Sequence, residues 1–439
     1  MGRVILLSPH FPPSSLAGVH RARLLATHLP RHGWRPIVLR VDERWYTETN
    51  DPALAALVPP TVEQIRVGAI PAPVARLAGF GDIGLRGYFA LRTALGQLAA
   101  REKPDVLFIT GAPFFPMTLA RYAREKLDIP VVLDFQDPWV SAEGAKKPPL
   151  SKAGLAHRMA TVLEPRVVHY ADFITSVSVR QNDEMAARYP WVDRARMAAI
   201  PIGGDPDDFV ALRAAPARTP LIDPSFINLS YVGTFMPRSE PTMRVLLAAF
   251  ARARIDAPNA MARVRLNFVG TSNQPGINDL FRVRPLAEAA GVADAVSEIP
   301  ARAPYLDALS ILARSDGLLL IGSDEAHYTG SKIYPALMSE RPYLSLYHRA
   351  SSSHDILAKA GGGLSFAFVD RTELEALVPA LANAFLRLVV NGRDFEAAGR
   401  SAYGNYCADS IAAKFAAIFD RVAKIPSHPM IAREAESAA

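Results

Sequence analysis

Short apolar strands alternate with helical stretches over most of this chain, and that rhythm limits what it can fold into more than any other feature. A parallel strand pair needs a long crossover, usually a helix, so the pattern implies parallel sheets with helices on both faces. In the first half the predicted strands are 4–7, 36–41, 65–68, 105–110, 130–134, 172–176 and 197–201. Helices are predicted between them at 19–29, 85–100, 116–126, 155–170 and 179–189. Around 211–224 the rhythm yields to an Ala/Pro-rich stretch that reads as a linker. It then restarts, with strands at 227–232, 265–269, 295–299, 317–321, 342–346 and 364–366. The expectation is α/β: two doubly wound domains in tandem, over 1–210 and 211–405. Helices are expected at 373–390, 394–403 and 410–423, the last carrying a stripe of Ile411, Phe415, Ile418 and Val422. Residues 425–439 read as a disordered tail.

Composition narrows the class. A chain of 439 residues, half of them apolar, is long enough for more than one core. The one cysteine, Cys407, excludes an intrachain disulfide framework and a cysteine-based zinc cluster, and suits a reducing cytoplasm. The N-terminal MGRVILLSPHFPP reads as a first strand rather than a signal peptide, and no run of 18 apolar residues occurs. The net charge of +6 is uneven: residues 1–200 hold 25 Lys and Arg against 18 Asp and Glu. A basic half suits an anionic partner, either a phospholipid surface or a phosphate-bearing ligand, and equally fits a merely Arg-rich composition. Nucleic acid is not expected, because no basic run is interleaved with aromatics.

In doubly wound sheets ligands bind beyond the carboxyl ends of the strands, so the loops there carry the chemistry. After the first strand, SPHFPPSSLAG is longer than a usual strand-to-helix connection. Ala17 and Gly18 allow close backbone approach to a ligand where a helix begins, and His10 is placed to meet a phosphate or sugar oxygen; a stiff turn with a solvated His10 is the plain alternative. No G-x-G-x-x-G occurs in this loop, which counts against a dinucleotide cofactor. In VVLDFQDPW, Asp134 and Asp137 end a buried strand. One of them caps the turn, and Asp137 is the one expected to meet an acceptor, with Trp139 either stacking on a sugar or joining the core. IPIGGDPDDF reads as a tight turn with Asp207 and Asp208 capping the next element. YVGTFMPRSEP offers Gly233, Thr234 and Arg238, a cation suited to a diphosphate. GSDEAHYTGSKIYPALMSERPYL offers Gly330, Ser331 and Lys332 at a predicted helix start, with Glu325 placed for ribose hydroxyls.

Taken in order, FPPSSLAGVHRARLLATHLPRHGWRPIVL, VVLDFQDPW, ADFITSVS, IPIGGDPDDF, YVGTF and GSKIYPALMSERPYL resemble the retaining family 4 glycosyltransferases of the GT-B fold. That resemblance implies two Rossmann-like domains facing a cleft, the first holding an acceptor and the second a nucleoside-diphosphate sugar. It also implies a C-terminal helix, over 406–424, returning to the first domain. By the resemblance, the donor would be held by Ala17, Gly18, Gly233, Thr234, Arg238, Glu325, Gly330, Ser331 and Lys332. His10, Asp137 and Trp139 would meet the acceptor, and Asp137, Arg238 and Lys332 would act in catalysis. The sequence departs from the family where two glutamates eight residues apart are usual, reading His327 and Pro335, with Glu325 standing in for the first. Ile202 replaces the usual Asn, and one displaced Arg238 replaces an Arg and Lys pair.

The expected reaction is metal-independent and cofactor-free transfer with retention to a hydroxyl acceptor, the leaving phosphate taking the proton. Cell-surface polysaccharide or glycolipid synthesis is the expected setting, in the cytoplasm or peripherally on the inner face of the membrane. The acceptor would be a glycan, a lipid-linked sugar or a small molecule. Residues 73–98, which mix Arg76, Arg86 and Arg92 with apolar side chains, read either as a membrane-facing stretch or as ordinary helix. A non-catalytic sugar-nucleotide- or glycan-binding protein with a degenerate site is the alternative function.

Overall fold

The computed structural model describes residues 1–77, 79–214, 222–272, 279–324 and 330–424. Glu325, His327 and the 425–439 tail lie outside the described residues. The chain forms two compact units, Met1–Ile202 joined by the segment from Ala408 onward, and Gly203–Cys407.

The first unit is built on seven strands: β1 (Gly2–Leu7), β2 (Trp34–Val41), β3 (Glu63–Val67), β4 (Val106–Gly111), β5 (Val131–Phe135), β6 (Phe173–Ser176) and β7 (Met197–Ala199). Their order is β3-β2-β1-β4-β5-β6-β7, every neighbouring pair parallel, so the winding reverses between β1 and β4. Side chains alternate between faces, as strand geometry requires. Helix α1 (Val19–His28) and the C-terminal helix Ala408–Ala423 cover one face, where Val4, Leu6, Val38, Phe108 and Val132 pack on Ile411, Phe415 and Phe419. The expected apolar stripe of the C-terminal helix is therefore core of the first unit. On the other face Ile5, Leu7, Ile37 and Leu39 meet Leu91, Leu95 and Leu98 of α2 (Tyr88–Glu102).

The second unit has six parallel strands, β8 (Ile227–Val232), β9 (Val264–Val269), β10 (Val296–Ile299), β11 (Gly317–Ile321), β12 (Tyr343–His348) and β13 (Gly363–Phe368). The order β10-β9-β8-β11-β12-β13 reverses between β8 and β11. One core joins Leu229, Leu266 and Leu319 to Leu246, Phe250, Leu381 and Phe385. The rings of Phe250 and Phe385 meet edge-on at 5.3 Å.

Several expected elements differ. The unit boundary falls at Ile202–Gly203, ahead of the Ala/Pro-rich stretch. Residues 206–214 form a helix, α3 (Pro206–Ala214), whose Asp208 accepts a hydrogen bond from Tyr305 at 2.7 Å, both in the second unit. Asp205, rather than Asp207 or Asp208, caps the turn, accepting from the Asp207 N–H at 3.1 Å. The helix expected over 373–390 divides into Arg371–Ala376 and Val378–Asn391, with a proline in the first turn of the second helix. The helix expected over 394–403 is confined to Arg400–Tyr403, because the Gly399 N–H is drawn to the Ala360 carbonyl at 2.8 Å.

Candidate functional site

In the first unit the loop after β1 lies at the reversal of strand order, where the backbone opens towards ligands. Gly18 precedes α1 with φ −61°, an ordinary helical value, so conformational freedom is not what it supplies. A Cβ there would meet the Ala112 carbonyl oxygen at 3.3 Å, which makes close packing its role. Ala17 is exposed. The Gly18 carbonyl accepts from Gln136 Nε2 at 3.0 Å, and the same amide nitrogen donates to Thr110 Oγ1 at 2.7 Å. Thr110 in turn donates to Asp134 Oδ2 at 2.9 Å, and Thr175 to Asp134 Oδ1 at 2.8 Å. Arg21 Nε reaches Asp134 Oδ2 at 3.1 Å, while its terminal nitrogens donate to the carbonyls of Ile200 and Pro201. Asp134 is thus a buried structural carboxylate tying the ends of β4, β5 and β6 to α1, and Gln136 carries that order to the Ala17–Gly18 turn.

Asp137 lies two residues beyond β5. The residue retains solvent contact, yet desolvation of its carboxyl raises its pKa. Trp139 is half-buried and stacks on Phe114 at 5.4 Å with an 11° tilt, so its ring belongs largely to the core. The chain just after Trp139 is anchored by Glu164, which accepts from the Val140 N–H at 2.9 Å, from Arg188 at 2.8 Å and from the Tyr189 hydroxyl at 2.9 Å. His10 Nδ1 lies 2.7 Å from Glu48 Oε1. That is ion-pair distance, but the buried nitrogen has no hydrogen-bond partner among the described residues. Burial opposes ionisation of Glu48, but His10 and Ser14 outweigh it and hold the carboxyl at about 2.

In the second unit, the reversal of strand order between β8 and β11 brings two expected residues together. Gly233 follows β8 with φ +153°, and a Cβ built on it would overlap the Lys332 ammonium and lie 2.6 Å from its Cε. Only glycine lets that lysine lie across the turn. Much of Lys332 as a residue remains exposed, but its ammonium is enclosed. Desolvation first, and the charge of Arg302 second, lower it from 10.5 to about 8. An ammonium that feels a second positive charge thus lies against a bare backbone turn, an arrangement that favours an anion.

The other expected donor residues take plainer positions. The Gly330 N–H is spent on Ser353 Oγ at 3.0 Å, and Ser331 is exposed. The helix after Lys332, Ile333–Met338, has only six residues, so the positive end of a long helix is not available there. Pro335 lies within it. Thr234 is half-buried, and its carbonyl accepts from the Tyr231 hydroxyl at 2.8 Å. Arg238 is exposed on the turn Pro237–Ser239, its carbonyl accepting from the Asp324 N–H at 3.2 Å.

Residues 18–203 match the Glycosyl transferase 4-like domain family. The chain as a whole has the two-domain, Rossmann-like GT-B fold. Among curated relatives, the chain is 25% identical over 315 residues to the D-inositol 3-phosphate glycosyltransferase of Gordonia bronchialis, over 69% of its own length. It spans 65% of that relative's length. Among solved structures, Anabaena HepE in complex with UDP-glucose superposes with a TM-score of 0.58 at 15% identity, covering 95% of this chain and 99% of that one. A UDP-forming α,α-trehalose-phosphate synthase from Burkholderia xenovorans superposes with a TM-score of 0.60 at 13% identity, covering 97% and 100%. At those identities the two structures establish the shared fold alone. No described helix is long and apolar enough to cross a membrane.

Three residues that matter here escape sequence reasoning. Arg302, Glu48 and Gln136 act through spatial neighbours far away in the chain, and no local pattern marks them. Asp134 was visible, but its complete set of partners was not.

Proposed function

We propose that this protein is a glycosyltransferase that moves a hexose from a nucleoside-diphosphate sugar to a hydroxyl acceptor, holding the donor's diphosphate in its second unit. The observation that carries this reading is the Lys332 ammonium lying across Gly233, its pKa lowered by desolvation and by the charge of Arg302. As the bond to the sugar breaks, negative charge grows on the diphosphate, and fixed cations there stabilise it more in the transition state than in the bound donor. The relatives whose solved forms hold UDP-glucose or UDP-2-fluoro glucose make UDP-glucose the first donor to test. Retention of configuration without a metal or cofactor rests on the family 4 resemblance and is part of the proposal. So are Arg238 as a second diphosphate contact, and Asp137 at the acceptor.

Membrane contact is proposed more narrowly than the sequence suggests. Val74, Leu77 and Phe89 are exposed, and Arg76 lies among them. Arg86 is not available to lipid, since it is buried and donates to the carbonyls of Ile70 and Trp45 at 2.8 and 2.9 Å. Arg92 lies over the Tyr122 ring at 4.7 Å.

A thermal-shift titration tests the donor assignment. UDP-glucose at about 100 times its dissociation constant should stabilise the protein by about 2.7 kcal/mol. The same titration of Lys332→Ala should give a clearly smaller shift. Equal shifts in the two proteins would place the donor elsewhere.

A further inference from the structure

The helix Lys152–His169, between β5 and β6, turns an apolar row outward. Its inner side carries Gly154, Ala160, Glu164, Val167 and Val168, the two valines joining the core on one face of the first sheet. On the outer side Leu155, Met159 and Val162 are 52, 37 and 50% exposed, and Leu150, just ahead of the helix, is 85% exposed. Spacings of four and three residues place the three helical side chains in one line. Apolar side chains scattered singly over a surface are ordinary, whereas a contiguous row of them marks a contact face.

The flanks of that row are basic. Residues 144–170 hold five Lys and Arg side chains, Lys146, Lys147, Lys152, Arg158 and Arg166, all exposed, against one carboxylate. That carboxylate, Glu164, is buried and paired with Arg188. Just before this segment, Glu143 pairs with Lys146 at 2.8 Å. The residues ahead of the helix are tied to its first turn. Ser151 Oγ accepts from the Gly154 N–H at 3.0 Å and donates to the Pro148 carbonyl at 2.7 Å. A Cβ on Gly154 would overlap that same carbonyl, so glycine lets the arm fold back onto the helix. Lys146, Lys147 and Leu150 are thereby brought to the head of the row.

We infer that this face rests on an anionic phospholipid surface. Leu150, Leu155, Met159 and Val162 enter the headgroup boundary, and the five cations meet lipid phosphates. An apolar row bordered by Lys and Arg suits that partner, because burial of the row and attraction to a negative surface act together. A second copy of the chain fits less well, since two such faces would bring like charges together. The contact is separate from the one proposed around Val74, Leu77 and Phe89, and it does not depend on what the second unit binds. Phe89 lies on α2, which packs on the same face of the first sheet as this helix, so the two contacts share one layer of the unit.

Co-sedimentation of the full chain tests this, with vesicles of phosphatidylcholine alone and of equal parts phosphatidylcholine and phosphatidylglycerol. Wild-type protein should bind the anionic vesicles about tenfold or more tightly than the neutral ones, and lose that preference as added salt screens the charges. Leu155→Ser combined with Met159→Ser should leave the melting temperature unchanged and weaken binding to anionic vesicles about tenfold or more. Lys146→Glu combined with Lys147→Glu should weaken it by a similar factor and flatten its salt dependence. Equal binding of the wild type to both vesicles would overturn the inference. So would wild-type-like binding by both helix variants; if Leu77→Ser combined with Phe89→Ser alone lost binding, the other contact would still stand. No binding of the wild type to either vesicle would overturn both contacts. Sedimentation velocity without lipid reads the remaining alternative. A dimer that Leu155→Ser combined with Met159→Ser separates would assign the row to a second copy and overturn the lipid reading.

Discussion

At the scale of single residues, the donor assignment rests on a steric fact: the Lys332 side chain occupies the volume that a Cβ on Gly233 would fill. Gly233→Ala should displace the ammonium and weaken UDP-glucose binding about tenfold or more, equivalent to about 1.4 kcal/mol or more. Calorimetry on the folded variant checks this, and unchanged affinity would mean the turn does not position Lys332 for the donor. Both residues were legible in the sequence, Gly233 from a strand-to-loop glycine and Lys332 from its place before a predicted helix. Their contact was not, because local pattern carries no information about which of two loops, one after β8 and the other after β11, leans over the other. Arg302 was illegible for the same reason: only its effect on Lys332 reveals it.

At the scale of elements, strand positions were legible because buried parallel strands are short apolar runs bounded by turn residues, and every strand of both sheets was foreseen within a few residues. Helix ends were less legible. Pro379 splits one expected helix, and Gly399 trades helical bonding for the Ala360 carbonyl. The pair Asp134 and Asp137 shows the limit most clearly. Both lie at or just past the end of β5, yet one is fully buried with Arg21, Thr110 and Thr175 around it while the other keeps solvent contact. Asp134→Ala should cost about 3–5 kcal/mol, since it leaves Arg21 buried without its counter-charge. Denaturant unfolding measures this, and a loss below about 1 kcal/mol would show that the carbonyls of Ile200 and Pro201 suffice for the guanidinium.

At the scale of the whole molecule, the second unit is one continuous insertion between the body of the first and its last helix. The chain enters and leaves it side by side, with the Gly204 N–H donating to the Tyr406 carbonyl at 3.1 Å. Phe415 and Phe419, supplied from beyond the insertion, complete the core over Val4, Leu6 and Phe108. Truncation after Cys407 should therefore unfold the first unit while leaving the core of the second intact. Limited proteolysis would check this, the prediction failing if residues 1–202 resist as they do in the full chain.

The central claim is that Lys332 meets a diphosphate, and its titration offers the most direct test. With the ammonium lowered to about 8, the free protein is partly deprotonated there at pH 8, and an arriving diphosphate favours the charged form. Wild-type protein should then take up protons on binding UDP-glucose, and affinity should fall as pH rises through about 8 and above. The ligand-free fold behaves oppositely. Its lysine binds a proton less tightly than the unfolded chain's, so stability rises between about 8 and 10.5. Calorimetric titration of UDP-glucose at pH 8, in buffers of different ionisation enthalpy, reads the uptake. The account predicts net proton uptake in the wild type that disappears in Lys332→Ala together with at least tenfold of the affinity. Binding of equal strength in both proteins, with no difference in protons taken up, would contradict it.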